Sequence, residues 1–350
     1  AAVWAIFSAG TGLAFTIAVL VAVRMGASMG RAVVEPTHFS LLSDYYSPSA
    51  RLKVFSVHRQ ANSVGQILGP LLAGVIAYFL GWRAPFFLFA VPTAIFVVLA
   101  LRLREPVRGY HERVAAGGDP DTADRADAPE TVRGSLRVLG QVRTIRRIWA
   151  AVPFLGVALF ALPNLLSLVY DDVFGLNAAE RGIVAAAVEP LQILGVFWTM
   201  PIVGRRALRQ PGFLLRFVAI IGVLDGLLLV VLAYAPHVGI AIACHALLAA
   251  SVGTLAPAFF ALLSIVAPPR VRAATFSSVA IFAIPGIALF LPLIGRISDA
   301  FGIQASMLTL VPVSLAAGFI LASANRFVVD DIVNVNAEAL ARVTDPEPAA

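Results

Sequence analysis

The sequence predicts an all-α polytopic membrane protein made of two related helical bundles, on three observations. Of its 350 residues, 59% are hydrophobic and 13% charged, against about 25% charged in soluble domains. Apolar runs long enough to cross a ~30 Å hydrocarbon core as helices recur along nearly the whole chain. The third observation is a repeat. An ungapped shift of 257 − 36 = 221 residues lays Pro36 on Pro257, Leu41-Leu42-Ser43 on Leu262-Leu263-Ser264, Pro48 on Pro269 and Arg51 on Arg272. It also lays Phe55-Ser56 on Phe276-Ser277, and Gly65, Gly74 and Gly81 on Gly286, Gly295 and Gly302. Such self-similarity marks a duplicated unit, and parallel halves are one architecture by which transporters place a site at the axis between them.

The spans fall near 1–14, 16–43, 52–79, 84–103, 149–171, 180–203, 213–235, 238–266, 274–294 and 303–325. They divide the chain into a first bundle at 1–103, a linker at 104–148, a second bundle at 149–326 and a tail or linker at 327–350. The first span is too short to cross alone, and the first bundle has four spans against six. A counterpart to the span at 149 would begin at 149 − 221 = −72, so roughly 75–90 residues are expected upstream. Between Arg102 and Arg147 lie ten Arg and seven acids, including a Gly/Asp/Pro-rich stretch that reads as flexible. Beyond it, Val132, Leu136, Leu139, Val142 and Ile145 recur at helical spacing, as in an amphipathic helix on a lipid surface or a solvated helix ahead of a span.

Charge sets the expected orientation. The net charge is +6, and every basic residue but Lys53 is Arg. These residues sit in loops between apolar spans, a topology signal and not a nucleic-acid surface. Connections at 44–53, 102–147, 205–216, 270–272 and after 326 are Arg-rich, while the opposite ones hold only Arg83, Arg181 and Arg296. By the positive-inside rule the linker and C-terminus are cytoplasmic. The single Cys244 permits neither an internal disulfide nor a cysteine metal site. His111-Glu112 lacks a second His at zincin spacing and Lys53 lacks a preceding glycine loop, so no enzyme, metal or cofactor signature is read.

Two segments carry a family resemblance. RMGASMGRAVVEP, Arg24 to Pro36, resembles the fourth-helix motif of the major facilitator superfamily, with Arg24, Gly30 and Ala32 in place and Ser28 where the family has Gly. GQILGPLLAG resembles its fifth-helix antiporter motif through Gly65, Gly69, Pro70 and Gly74, with Ala73 replacing a Gly. SDYYSPSAR and LGWRAPF are similar too, so the resemblance spans all but the linker and tail. It implies the major facilitator fold with about ten of its twelve helices, helices 3 to 12. It further implies a multi-pass bacterial inner-membrane secondary transporter, proton-coupled and exporting small organic molecules by antiport, with the substrate, protons and the lipid bilayer as partners. An alternative comes from the tail FVVDDIVNVNAEALARVTDPEPAA, which resembles linkers leading into an ATP-binding-cassette domain. On that reading the chain is a regulatory or anchoring module of a larger fusion.

Intramembrane ionisable residues are functional candidates because charge there is costly. Arg24, Arg31, Glu35 and His38 fall near 0°, 340°, 20° and 320° at about 100° per residue, one polar stripe on an apolar helix. Glu35 reads as a proton carrier and Arg24 as its partner or an anion ligand. The next span presents Arg59, Asn62 and Gln66 on one side, with a Glu35–Arg59 pair expected. Gly65, Gly69 and Gly74 admit close helix approach, and Pro70 bends the span. In the second half, Pro163-Asn164 is expected to interrupt its helix, and Glu189-Pro190 lies in the middle of the next span. Glu189 with Gln192 is the second proton-carrier candidate. His245, the repeat partner of Arg24, is placed in the cavity, and Asp225 is read as structural. Asp44 with Arg51, and Arg205, Arg206 and Arg209, form the expected cytoplasmic gate.

Overall fold

Apolar helices hide their backbone from lipid by closing every hydrogen bond internally, and the computed structural model is built on that solution. It describes residues 2–32, 34–115 and 131–344, and among these no strand occurs. The first half comprises α1 (Ala2–Gly12), α2 (Ile17–Ala32), α3 (Val34–Tyr45), α4 (Pro48–Leu80) and α5 (Ala84–Ala100). The short helices α6 (Tyr110–Ala115) and α7 (Val132–Gln141) follow. The second half comprises α8 (Arg143–Asp172), α9 (Ala178–Arg209), α10 (Phe213–Ala233), α11 (Val238–Val266), α12 (Arg272–Phe301) and α13 (Ile303–Ala324), and α14 (Val328–Thr344) ends it. Among the described residues eight helical segments are long and apolar enough to cross a membrane, α2 and α3 counting as one, and α1 and α5 are shorter apolar helices. Their large outward side chains, such as Phe96, Leu289 and Phe319, are exposed, as lipid-facing residues should be.

The repeat is visible in three dimensions. In the first half α1 packs on α2 and α5, and its counterpart α10 packs on α11 and α13. Gly81 and Gly302 end equivalent helices with φ 82°, ψ 161° and φ 86°, ψ 166°. Each donates its N–H to a carbonyl four residues back at 2.9 Å. That positive φ is open to glycine and strained for other residues. The halves share an apolar core at one end only. Phe39, Leu52 and Phe55 pack with second-half residues such as Val203, Leu262 and Phe276 at the Arg-rich end, while the core at the other end is drawn from the second half alone.

Several boundaries differ from expectation. The amphipathic segment is not one helix: α7 stops at Gln141, Val142 is extended, and Ile145 belongs to α8. Thr131 caps α7 by accepting from the Gly134 N–H at 3.1 Å. The start of α8 is capped from far along the chain, where Asp331 Oδ2 accepts from the Thr144 N–H at 2.7 Å. A carboxylate there satisfies an orphan donor and suits the helix dipole. Leu139 is fully buried, so α7 docks its apolar side on α8 and α12. The tail forms α14, which packs on α6, α8 and α11 and joins Arg270 to Glu338 at 2.6 Å. The linker stretch 116–130 and the final residues 345–350 lie outside the described residues. Pro163 and Pro190 do not interrupt α8 and α9, which run through them. Each proline removes a single N–H donor, and the Asn164 side-chain amide donates to the Phe160 carbonyl at 3.0 Å.

Candidate functional site

At the Arg-rich end a latch joins the halves. Arg51 and Arg272, equivalent in the repeat, are both 0% exposed. Arg51 donates from Nε and Nη2 to the Ser43 carbonyl at 3.1 and 2.6 Å, and from Nη1 to the Ser264 carbonyl at 3.1 Å. Ser264 is the repeat partner of Ser43, so one guanidinium ties equivalent turns of the two halves. Arg272 Nη1 meets Asp44 Oδ1 at 2.5 Å. Asp44 and Arg51, read from the sequence as gate residues, both lie in this latch. Arg205 and Arg206 do not join it. Exposed guanidinium groups find local partners, and Arg205 Nε donates to the Pro201 carbonyl at 3.2 Å while Arg206 lies over the Phe213 ring at 5.6 Å.

Above the latch lies an aromatic plug. Phe39 and Phe260, again repeat equivalents, stack with centroids 4.1 Å apart and planes 19° apart. Phe55 stands edge-on to Phe39 at 4.9 Å and Phe276 edge-on to Phe260 at 5.9 Å. His58 Nε2 and His38 Nδ1 share a hydrogen bond at 3.2 Å beside Phe39. One ring must donate and the other accept.

Beyond the plug a cavity of about 610 Å³ opens between the halves, lined by α4, α8, α9 and α11. Its polar wall is a chain of side chains. Gln66 Nε2 donates to Asn62 Oδ1 at 2.6 Å, and Arg59 Nη1 reaches the same oxygen at 3.5 Å. Arg59 Nη2 crosses to the second half and donates to Gln192 Oε1. Gln192 Nε2 donates to Glu189 Oε2 at 2.7 Å. Glu189 Oε1 and Arg59 Nε are buried and have no hydrogen-bond partner, a costly condition unless something else visits them. On the facing wall Tyr170 Oη lies 3.2 Å from His245 Nδ1. Toward the open end, Arg181 pairs with Asp171 at 2.5 Å.

The structure therefore brings Arg59, Asn62, Gln66, Glu189, Gln192 and His245 to one site. It does not bring the helix-4 stripe there. Arg24 points at the Phe86 ring, 5.9 Å away, His38 pairs with His58, and Arg31 and Glu35 are exposed. The expected Glu35–Arg59 contact gives way to Arg59–Gln192, because the guanidinium extends across the cavity instead of back along its own half. Asn164 is exposed and bonds within its helix. A Cβ on Gly65 or Gly69 would meet nothing within 4 Å, whereas one on Gly286, the partner of Gly65, would strike Pro153 of α8. The side-chain surroundings of Pro70 and Gly74 lie outside the described residues. Sequence reasoning missed Gly253, whose Cβ would lie 2.8 Å from the Gln192 carbonyl. Its lack of a side chain lets α11 press against α9 and holds Gln192 at the cavity wall. Also missed were Tyr170, His58 and the Phe39–Phe260 stack, although the 221-residue shift pairs the two phenylalanines.

The profile of the Major Facilitator Superfamily matches residues 1–283. Sialin of Ovis aries is 29% identical over 112 residues, 31% of this chain and 23% of its own length. The hexuronate transporter of Bacillus subtilis is 27% identical over 97 residues, 28% of this chain and 23% of its own length. The chain thus covers about a quarter of the length of these curated relatives. The crystal structure of the E. coli fucose:proton symporter superposes with a TM-score of 0.70 at 14% identity, covering 92% of this chain and 81% of that one, a likeness of fold. With the family profile spanning most of the sequence and the duplicated bundle present in three dimensions, the chain belongs to the Major Facilitator Superfamily.

Proposed function

We propose that the chain is the moving core of a proton-coupled secondary transporter of the bacterial inner membrane, exporting small organic molecules by antiport, with its Arg-rich end in the cytoplasm. The observation that carries this reading is the Arg59–Gln192–Glu189 chain, which spans both halves at the cavity wall and leaves one oxygen of Glu189 and one nitrogen of Arg59 buried without partners. A cargo offering an acceptor to Arg59 and a hydroxyl to Glu189 satisfies both atoms and displaces Gln192. Ionised Glu189 is the stronger acceptor because charge-assisted hydrogen bonds are about twice as strong as neutral ones. Protonation and cargo binding at Glu189 therefore oppose each other, and an inward proton gradient drives cargo outward. The latch and plug close the cytoplasmic side in this state; rocking the halves breaks them and opens it.

A sugar acid has the required chemistry, a carboxylate acceptor and hydroxyl donors, and a hexuronate is the first probe. Adding it to the purified intact gene product in weakly buffered medium should release protons. Proton uptake, or binding without any proton movement, would reject the antiport.

A further inference from the structure

Asp225 is a buried carboxyl within a membrane-spanning helix and takes no part in the antiport mechanism. It lies in the middle of α10, 9% exposed, on a void of about 50 Å³ enclosed by α8, α10, α11 and α13. Of the residues lining that void it alone is ionisable. Nothing titratable lines it from α8 or α13, where Ser314 of α13 is the polar member, and His245 on α11 faces the cavity instead.

From α11, Ser251 Oγ meets Asp225 Oδ1 at 2.5 Å. The same Oγ lies 2.7 Å from the Leu248 carbonyl oxygen, one turn back. A hydroxyl has one proton to give and the carbonyl can only accept. Serines within helices commonly give that proton to the carbonyl of the preceding turn. When the hydroxyl proton goes to Leu248, a protonated Asp225 carboxyl closes the contact from the other side, its O–H donating to Ser251 Oγ. A carboxylate here would instead be a bare charge at membrane depth with no cation on the void, the condition intramembrane acids avoid.

We propose that Asp225 holds a proton in this state and is a second proton-binding site, within the second half, that empties when the halves rock. The route is short, because Leu159, Leu162, Leu248 and Val252 line both the void and the central cavity, so one layer of side chains separates them. Helix α11 carries Ser251 and Phe260 of the plug, and movement of the plug moves the Asp225 partner. On release the Asp225 O–H bond breaks, the proton passes to cavity water, and the carboxylate accepts from Ser251 Oγ. The emptying step rests on the alternating-access reading; the protonation does not.

Infrared spectroscopy of the intact gene product in lipid nanodiscs at neutral pH tests the site without any cargo. A protonated-carboxyl C=O band should be present in the wild type and in Glu189→Gln, absent in Asp225→Asn and displaced in Ser251→Ala. Identical carboxyl bands in wild type and Asp225→Asn, or a band unmoved in Ser251→Ala, overturn the site. Asp44→Asn, which frees the latch, should weaken the band at the same neutral pH relative to the wild type. A band of equal strength in the two proteins overturns the emptying step while leaving the Glu189 reading to be judged by transport.

Discussion

Arg272 on α12 reaches Asp44 at the end of α3 across the boundary between the halves, Nη1 to Oδ1 at 2.5 Å, with 0% and 4% of the two side chains exposed. Removing one partner of a buried ion pair costs about 3–5 kcal/mol because the other is left uncompensated. Asp44→Asn should therefore destabilise the closed Arg-rich end. Spin labels at the exposed positions Lys53 and Gln210 should report a new population at longer distance. An unchanged distance distribution would show that the pair does not hold the gate.

Phe39 and Phe260 stack across the pseudo-twofold axis, and aromatic pairs are worth about 0.5–1.5 kcal/mol beyond area burial. A double-mutant cycle of Phe39→Ala and Phe260→Ala, read by thermal unfolding in detergent, should return a coupling of that size. Strict additivity would mean the rings merely share a core.

Gly253 presses against the Gln192 backbone, so Gly253→Ala should cost about 1–3 kcal/mol as overpacking does. It should also weaken cargo binding, since α9 must back away and take Gln192 from Arg59. Normal binding with lowered stability would separate the packing from the site.

Asp331 caps α8 through Thr144. Asp331→Ala should lower stability by about 0.5–2 kcal/mol, the usual loss for a cap, and speed amide exchange at Thr144. Exchange equal to that of the wild type would deny the cap.

With Cys244 buried, introduced cysteines can be read against a quiet background. Val132→Cys, 74% exposed at the Arg-rich end, should be shielded from an impermeant thiol reagent in intact cells. Phe301→Cys, 77% exposed at the other end, should react. The reverse pattern would invert the orientation and with it the direction of export.

The ten apolar segments, the duplication and the polar face of α4 were legible in the sequence, because hydropathy and a fixed repeat offset are one-dimensional signals. Which polar faces meet is not such a signal. The helical wheel put Glu35 and Arg24 on one stripe but carried no information on whether that stripe looks at α4 or at α5. The partner of Asp44 lay 228 residues away, and Arg59 found Gln192 in the other half, contacts that depend on how two rigid bundles are seated. The split between α7 and α8 was hidden for the same reason, since the carboxylate that starts α8 comes from Asp331 in the tail.

The central claim is that Glu189 is where proton and cargo oppose each other. In proteoliposomes of the intact gene product, Glu189→Gln keeps a neutral acceptor and cannot ionise. The account predicts loss of hexuronate flux driven by a pH gradient, while hexuronate counterflow persists with a raised KM and no dependence on pH. Gradient-driven flux equal to that of the wild type in Glu189→Gln would contradict it.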